Sequence, residues 1–137
     1  MKPKKAKNFE DVTDQLKKQE SDKDCLIVRG LVKKFGEKTA VAGTDLTIYN
    51  GQIFALLGHN GAGKTTTLSM LTGLIEPDAG HAEVFGIDIF KNMDEMRKNL
   101  GVCPQHDVLF EFLTPEDHLR LFAAFKGTPQ EIIEDQV

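Results

Sequence analysis

The chain has 137 residues, 40% of them hydrophobic, which suits one domain with its own core but not two. Its 17 basic and 21 acidic residues leave a formal charge of −4, excluding a chain built as a whole for electrostatic nucleic-acid binding. Apolar runs such as IFALL (53–57) fall far short of the ~20 residues that a membrane helix needs. The lysine-rich start MKPKKAKNFED has no apolar segment behind it, so no secretory leader is expected.

Residues 1–24 stand apart. They hold seven lysines and six acids but only Phe9, Val12 and Leu16 as sizeable apolar groups. Such a segment buries too little surface to offset its ordering entropy and is expected to be a flexible or weakly helical charged extension. The lysines from Lys2 to Lys7 leave a basic membrane-surface patch as an alternative, but the acids that follow favour a solvated linker.

From Cys25 the pattern becomes regular, and residues 25–137 read as the folded part. CLIVRGLVKKF (25–35) and DLTIY (45–49) are predicted strands, and Asn50-Gly51 is a strong hairpin signal leading to a further strand, QIFALL (52–57). The nearly unbroken apolar character of that last run is the pattern of a strand covered on both faces. A helix follows from Lys64, with Leu68, Leu71 and Thr72 at helical spacing and Gly73 as its stop. EPDAG (76–80) is a predicted turn and HAEVFG (81–86) a short strand. Then come a polar helix around Met93 to Asn99 and a short strand, LGVCPQ (100–105). Thr114-Pro115 opens another helix whose apolar stripe, Leu119, Phe122 and Phe125, is expected to be helix core. Thr128-Pro129-Gln130-Glu131 reads as a capping box for a last helix. Cys25 and Cys103 are isolated and read as small core-compatible residues rather than a disulfide. His59, His81, His106 and His118 show no metal-ligand spacing, and His106 reads as a surface histidine beside Asp107.

Between the strand at 52–57 and the helix at Lys64 lies GHNGAGKTT. Gly58, Gly63, Lys64 and Thr65 fill every fixed position of the phosphate-binding pattern G-x-x-x-x-G-K-[ST]. The chemistry behind the spacing is concrete. Residues Asn60, Gly61, Ala62 and Gly63 can turn successive N–H groups inward as a nest for phosphate oxygens, and the helix N-terminus adds its own donors and dipole. Lys64 reaches the β- and γ-phosphates as a point charge, and the Thr65 hydroxyl suits Mg²⁺, a hard ion that prefers oxygen. Thr66 offers a further hydroxyl near the α-phosphate. The bland alternative is a glycine-rich turn that precedes a helix; four fixed positions set between strand and helix count against it.

A phosphate loop serves GTPases, kinases, motors and transporters alike, so it does not name a family. Two further residues narrow the choice. Phe35 ends a predicted strand 23 residues before Gly58, and Gln105 follows a short strand 41 residues after Lys64. Together these features resemble the nucleotide-binding domain of ATP-binding-cassette (ABC) transporters. The wording GHNGAGKTTTLSMLTGL followed by LGVCPQHDVLFEFLTPEDHL is most similar to the eukaryotic A subfamily, largely lipid exporters. His59, where many cassettes carry proline, fits that subfamily. The resemblance covers about residues 26–137.

The resemblance implies an α/β P-loop fold carrying an antiparallel β subdomain, with the chain ending inside the helical subdomain. It implies that Phe35 stacks on adenine and that the segment from Gly58 to Thr66 is the Walker A loop. It implies that Gln105 is the Q-loop glutamine, which touches Mg²⁺ and the attacking water and couples to the membrane domains. ATP and Mg²⁺ would be the ligands; a second cassette, packed head to tail, and transmembrane domains would be the partners, at the cytoplasmic face of a membrane. Transport of lipid would be the work driven.

The sequence also departs from the family's pattern. No LSGGQ-like signature occurs, and no apolar run ending in Asp-Glu follows Gln105. Among these 137 residues, then, the catalytic carboxylates and the partner-facing loop are missing, and a nucleotide-binding fragment without turnover stands as a second reading. A bacterial-type drug or polysaccharide exporter cassette, or a soluble ABC protein, is a third. A GTPase would need Asp-x-x-Gly and Asn-Lys-x-Asp after the loop, and neither occurs.

Overall fold

A computed structural model of the protein describes residues 11–137. The basic stretch from Lys2 to Lys7, and Phe9, lie outside the described residues. The chain divides into two compact units that meet at Met96 and Arg97, and each is described separately.

The first unit is built on a four-stranded antiparallel sheet. Its strands are β1 (Cys25–Phe35), β2 (Lys38–Tyr49), β3 (Ala79–Val84) and β4 (Ile87–Asp88), in the order β2-β1-β3-β4. β1 is the strand read from the sequence, whereas β2 runs further toward β1 than DLTIY alone suggested. The β1–β2 hairpin closes through Gly36-Glu37, with Gly36 at φ +58 as a two-residue primed turn requires, and pairs Phe35 with Lys38. β1 bulges at Arg29 and Gly30, where its register slips against both neighbours. The bulge puts Val28 and Leu31 on the same face despite their odd spacing, and both are fully buried.

Helix α1 (Asp14–Asp22) starts at Thr13, whose side chain accepts from the Leu16 N–H, and lies within the segment read as an extension. It is fastened to the end of β2 by polar contacts. The Tyr49 hydroxyl donates to Glu20 at 2.6 Å, and Gln19 and Asn50 bond reciprocally through side chain and backbone. The Glu20 carboxylate holds the Tyr49 phenol in its neutral, donating form, pushing its pKa up to about 12. Beside this contact Cys25 is buried, and burial pushes its thiol pKa up.

Helix α2 (Lys64–Leu71) buries Thr67, Met70 and Leu71, while Leu68 is about half exposed. The helix ends as the sequence indicated. Gly73 takes φ +72, its N–H bonds to Met70 and that of Leu74 to Ser69, the two bonds of a Schellman motif. With Ala82, Ile89 and Met96, these side chains complete the core of the unit.

Two expected strands do not form. Residues 52–57 are irregular, with Ile53 fully exposed, because a strand of this apolar kind needs neighbours on both edges and cover on both faces. None of the described residues supplies them, so Asn50-Gly51 is a turn without a second strand to pair. Residues 100–105 are likewise irregular, and all but the half-buried Leu100 are exposed. Gly101 and Pro104 weaken any strand there, the proline by removing a ladder donor.

The second unit begins within helix α3 (Met93–Asn99), whose bounds match the sequence reading, and holds α4 (Pro115–Phe125) and α5 (Gln130–Gln136). The Lys126 ammonium donates to the Arg97 and Leu100 carbonyls at the end of α3. α4 opens with a complete capping box between Thr114 and Asp117. Arg120 ties α4 to α5 by pairing with both Glu116 and Glu134. The capping box expected at Thr128 is absent: Pro129 is the N-cap of α5 and makes no side-chain bond. Thr128 is committed elsewhere, since its N–H bonds to Ala123 and finishes α4 behind Gly127. The stripe Leu119, Phe122 and Phe125 is exposed rather than core, and Cys103 is exposed as well. What α4 buries instead is His118. It takes the Phe110 N–H on Nε2 at 2.8 Å, lies 2.8 Å from the Thr114 carbonyl through Nδ1, and stacks between Phe110 and Phe122.

Candidate nucleotide site

The segment from Gly58 to Thr66 forms a tight loop that feeds straight into α2. Gly61 (φ +84) and Gly63 (φ +85) take left-handed backbone, which turns consecutive peptide N–H groups toward one side. Gly63 is the N-cap and carries no side chain to cap the helix. The first backbone bond of the helix runs from Thr67 N–H to the Gly63 carbonyl, and the buried Thr67 hydroxyl bonds to the same oxygen. Among the described residues, the N–H groups of Gly61, Gly63, Lys64, Thr65 and Thr66 meet no protein acceptor. Five donors at the positive end of a helix make an anion site without any side-chain charge.

Lys64 adds the charge. Its ammonium lies over the loop, donating to the Gly58 carbonyl at 2.7 Å and to that of His59 at 2.9 Å. Thr65 sits exposed in the first turn of α2, and Thr66 is half-buried beside it. The loop is braced internally by the bond from Ala62 N–H to His59 and by His59 Nδ1, 2.8 Å from the Asn60 carbonyl. This donor set fits a polyphosphate, with the Thr65 hydroxyl as the oxygen ligand available to a divalent ion.

Sequence reasoning missed what the loop leans on. A Cβ built on Gly63 would lie 2.4 Å from the Ala40 carbonyl oxygen and 3.2 Å from a Val41 methyl, so the loop packs directly on β2. Ala40 follows closely after Lys38, the partner of Phe35 across the hairpin. The phosphate loop and the Phe35 end of the hairpin are thereby neighbours. Phe35 is half-exposed, with the Lys33 ammonium 5.7 Å from its ring centroid. The only sequence signal for this contact is the small side chain at Ala40.

Gln105 belongs to the second unit, exposed in the irregular segment before α4. The histidines form no metal cluster, and no group of three or more His, Cys, Asp or Glu among the described residues is placed to hold an ion. No described helix is long and apolar enough to cross a membrane.

A strand hairpin with an aromatic tip, a left-handed glycine loop and an uncapped helix carrying lysine and threonine define a P-loop nucleotide-binding protein. The sequence model of the family described as ABC transporter matches residues 41–136, and the chain belongs to that family. Its curated relatives include A-subfamily transporters. It is 48% identical over 125 residues to ABC transporter A family member 4 of Dictyostelium discoideum, covering 88% of this chain and 7% of that protein. It is 50% identical over 101 residues to the phospholipid-transporting ATPase ABCA3 of Homo sapiens, covering 74% of this chain and 6% of that one. Over 99 residues it is 52% identical to the glucosylceramide transporter ABCA12 of Mus musculus, covering 72% and 4%. The chain thus spans a small part of the length of these relatives. Among solved structures, an ATP-binding subunit of an ABC transporter superposes with a TM-score of 0.68 at 32% identity, covering 78% of this chain and 45% of that chain. The fold is that of the ABC ATPases.

Proposed function

We propose that this chain binds Mg²⁺-ATP and is the nucleotide-binding portion of a transporter that uses ATP hydrolysis to move lipid across a membrane. The carrying observation is the set of N–H donors of Gly61, Gly63, Lys64, Thr65 and Thr66 at the start of α2, with the Lys64 ammonium over the same loop. Phe35 stacks on the adenine, the loop cradles the phosphates, and Lys64 leaves its two loop carbonyls to meet the β- and γ-phosphates. Thr65 supplies the metal-ligand hydroxyl, and Gln105 approaches the metal and the attacking water. Mg²⁺, held through the Thr65 hydroxyl, would supply charge neutralisation at the phosphates, so the protein's part is mainly positioning and electrostatic stabilisation. A second cassette, packed head to tail, and transmembrane domains complete the machine at the cytoplasmic face. Lipid is the proposed cargo because two of the relatives are named as phospholipid and glucosylceramide transporters.

Stacking is indifferent to the hydrogen-bond pattern of the base and is worth ~1–3 kcal/mol. Phe35→Ala should therefore weaken ATP binding, whereas Phe35→Trp should preserve it, and GTP should bind within about tenfold of ATP. Titration with a fluorescent nucleotide checks all three, and strong guanine selectivity would overturn the assignment.

A second reading is binding without turnover by these 137 residues, favoured by the lack of an Asp-Glu ending to any apolar run after Gln105. Groups that act only in the transition state affect turnover far more than binding. Under this reading the 137 residues alone bind Mg²⁺-ATP but release no phosphate above background. Steady release abolished by Lys64→Ala would exclude it.

A further inference from the structure

We propose that Asp78 is a positioning residue for Phe35, holding the base-stacking ring in place from the turn that follows α2. The inference rests on the reading of Phe35 as the residue that meets the base. β1 pairs with β3 only as far as Val32, which faces Ala79. Beyond that point the strand end carrying Phe35 has lost its neighbour on one edge, and its N–H groups there need another acceptor.

Asp78 provides it. Its own N–H donates to the Val32 carbonyl at 2.9 Å, one carboxylate oxygen accepts from the Lys34 N–H at 2.6 Å, and the other accepts from the Lys33 ammonium at 3.0 Å. A single turn residue thus continues the ladder of β3 over the last three residues before Phe35. The Lys34 N–H, and after it Lys33, keeps the Asp78 carboxyl below the usual carboxylate range, so both acceptor oxygens persist at neutral pH.

The contact with Lys33 reaches the ring itself. The Lys33 side chain is largely covered, and its ammonium, held by Asp78, is 5.7 Å from the Phe35 centroid. A cation at that distance is attracted by the electron-rich ring face and fixes the ring plane. One face of Phe35 is then engaged by Lys33, and the opposite face is the one presented to a base. Asp78 acts on nucleotide affinity through Lys33 and Lys34 without touching the nucleotide.

The test is a double-mutant cycle between Asp78 and Phe35, read by titration with Mg²⁺-ATP, Mg²⁺-ADP and inorganic triphosphate. Asp78→Ala should weaken ATP and ADP by the same factor, about threefold to tenfold, a part of the stacking contribution. It should leave inorganic triphosphate, which has no base, unchanged, and should add nothing in the Phe35→Ala background. Asp78→Asn keeps one acceptor for the Lys34 N–H but loses the charge facing Lys33, and should fall between the two. Should Asp78→Ala lower stability so far that titration fails, Asp78→Asn carries the same comparison. Unchanged ATP affinity in both Asp78 variants, with Phe35→Ala still weakening ATP, would overturn the proposal alone. Equal weakening of ATP and inorganic triphosphate would also overturn it, making Asp78 a support of the fold. No effect of Phe35→Ala would overturn the base-stacking reading together with this one.

Discussion

Gly63→Ala is expected to abolish measurable nucleotide binding and to lower stability by about 2–5 kcal/mol. Two costs add. Alanine at φ +85 is in left-handed backbone, which costs an L-residue roughly 1–2 kcal/mol. Its methyl group would also sit 2.4 Å from the Ala40 carbonyl oxygen, a backbone atom held near the start of β2 that cannot rotate away. Overpacking of this sort costs about 1–3 kcal/mol, and the relief available is to lift the loop off the strand, which disperses the converging N–H donors. Gly61→Ala is the control for stability. It has nearly the same φ, +84, but nothing within 4 Å of the added carbon, so it should show only the backbone cost. Urea unfolding of the two variants, with Mg²⁺-ATP titration of the Gly63 variant, checks the difference. Equal stabilities would mean that the loop does not lean on β2.

Lys64→Ala should weaken ATP binding tenfold to a hundredfold, the effect of losing a charge-assisted contact worth ~1.5–3 kcal/mol. The loss should be much smaller for AMP, which has no β- or γ-phosphate for the ammonium to meet. Lys64 donates to the Gly58 and His59 carbonyls, and its removal frees two exposed acceptors that water can satisfy. The folded loop should therefore survive the substitution. Calorimetric titration of ATP and AMP decides the matter, because equal weakening of both would contradict the assigned role.

The site was legible in the sequence wherever its chemistry is local. Glycines that need left-handed backbone, a lysine and a threonine at the start of a helix leave their mark in adjacent positions, and so does the Gly73 stop. β1 and the Thr114 cap were readable for the same reason. The misses share a cause. The strand expected at 52–57 and the inner stripe Leu119, Phe122 and Phe125 were inferred from apolarity, which says that a segment seeks partners but not where those partners are. In α2 the spacing of Leu68, Leu71 and Thr72 did not say which side chains would be buried, and packing selected Thr67, Met70 and Leu71. The contact of Gly63 with Ala40 and the reach of Asp78 to β1 join residues far apart in the chain, and no short pattern encodes them.

The two helix-ending glycines, Gly73 and Gly127, stop their helices in the same way but differ in what an added side chain would meet. Both take φ +72, a conformation that asparagine tolerates better than other side chains. Around Gly127 an added carbon meets nothing within 4 Å, so a drift to asparagine there costs little. At Gly73 the same carbon would strike the Met93 sulfur at 2.4 Å, where α3 begins. The Met93 thioether is the end of a flexible side chain and can swing aside, so a replacement at 73 also requires a new Met93 rotamer, whereas one at 127 meets only the backbone cost.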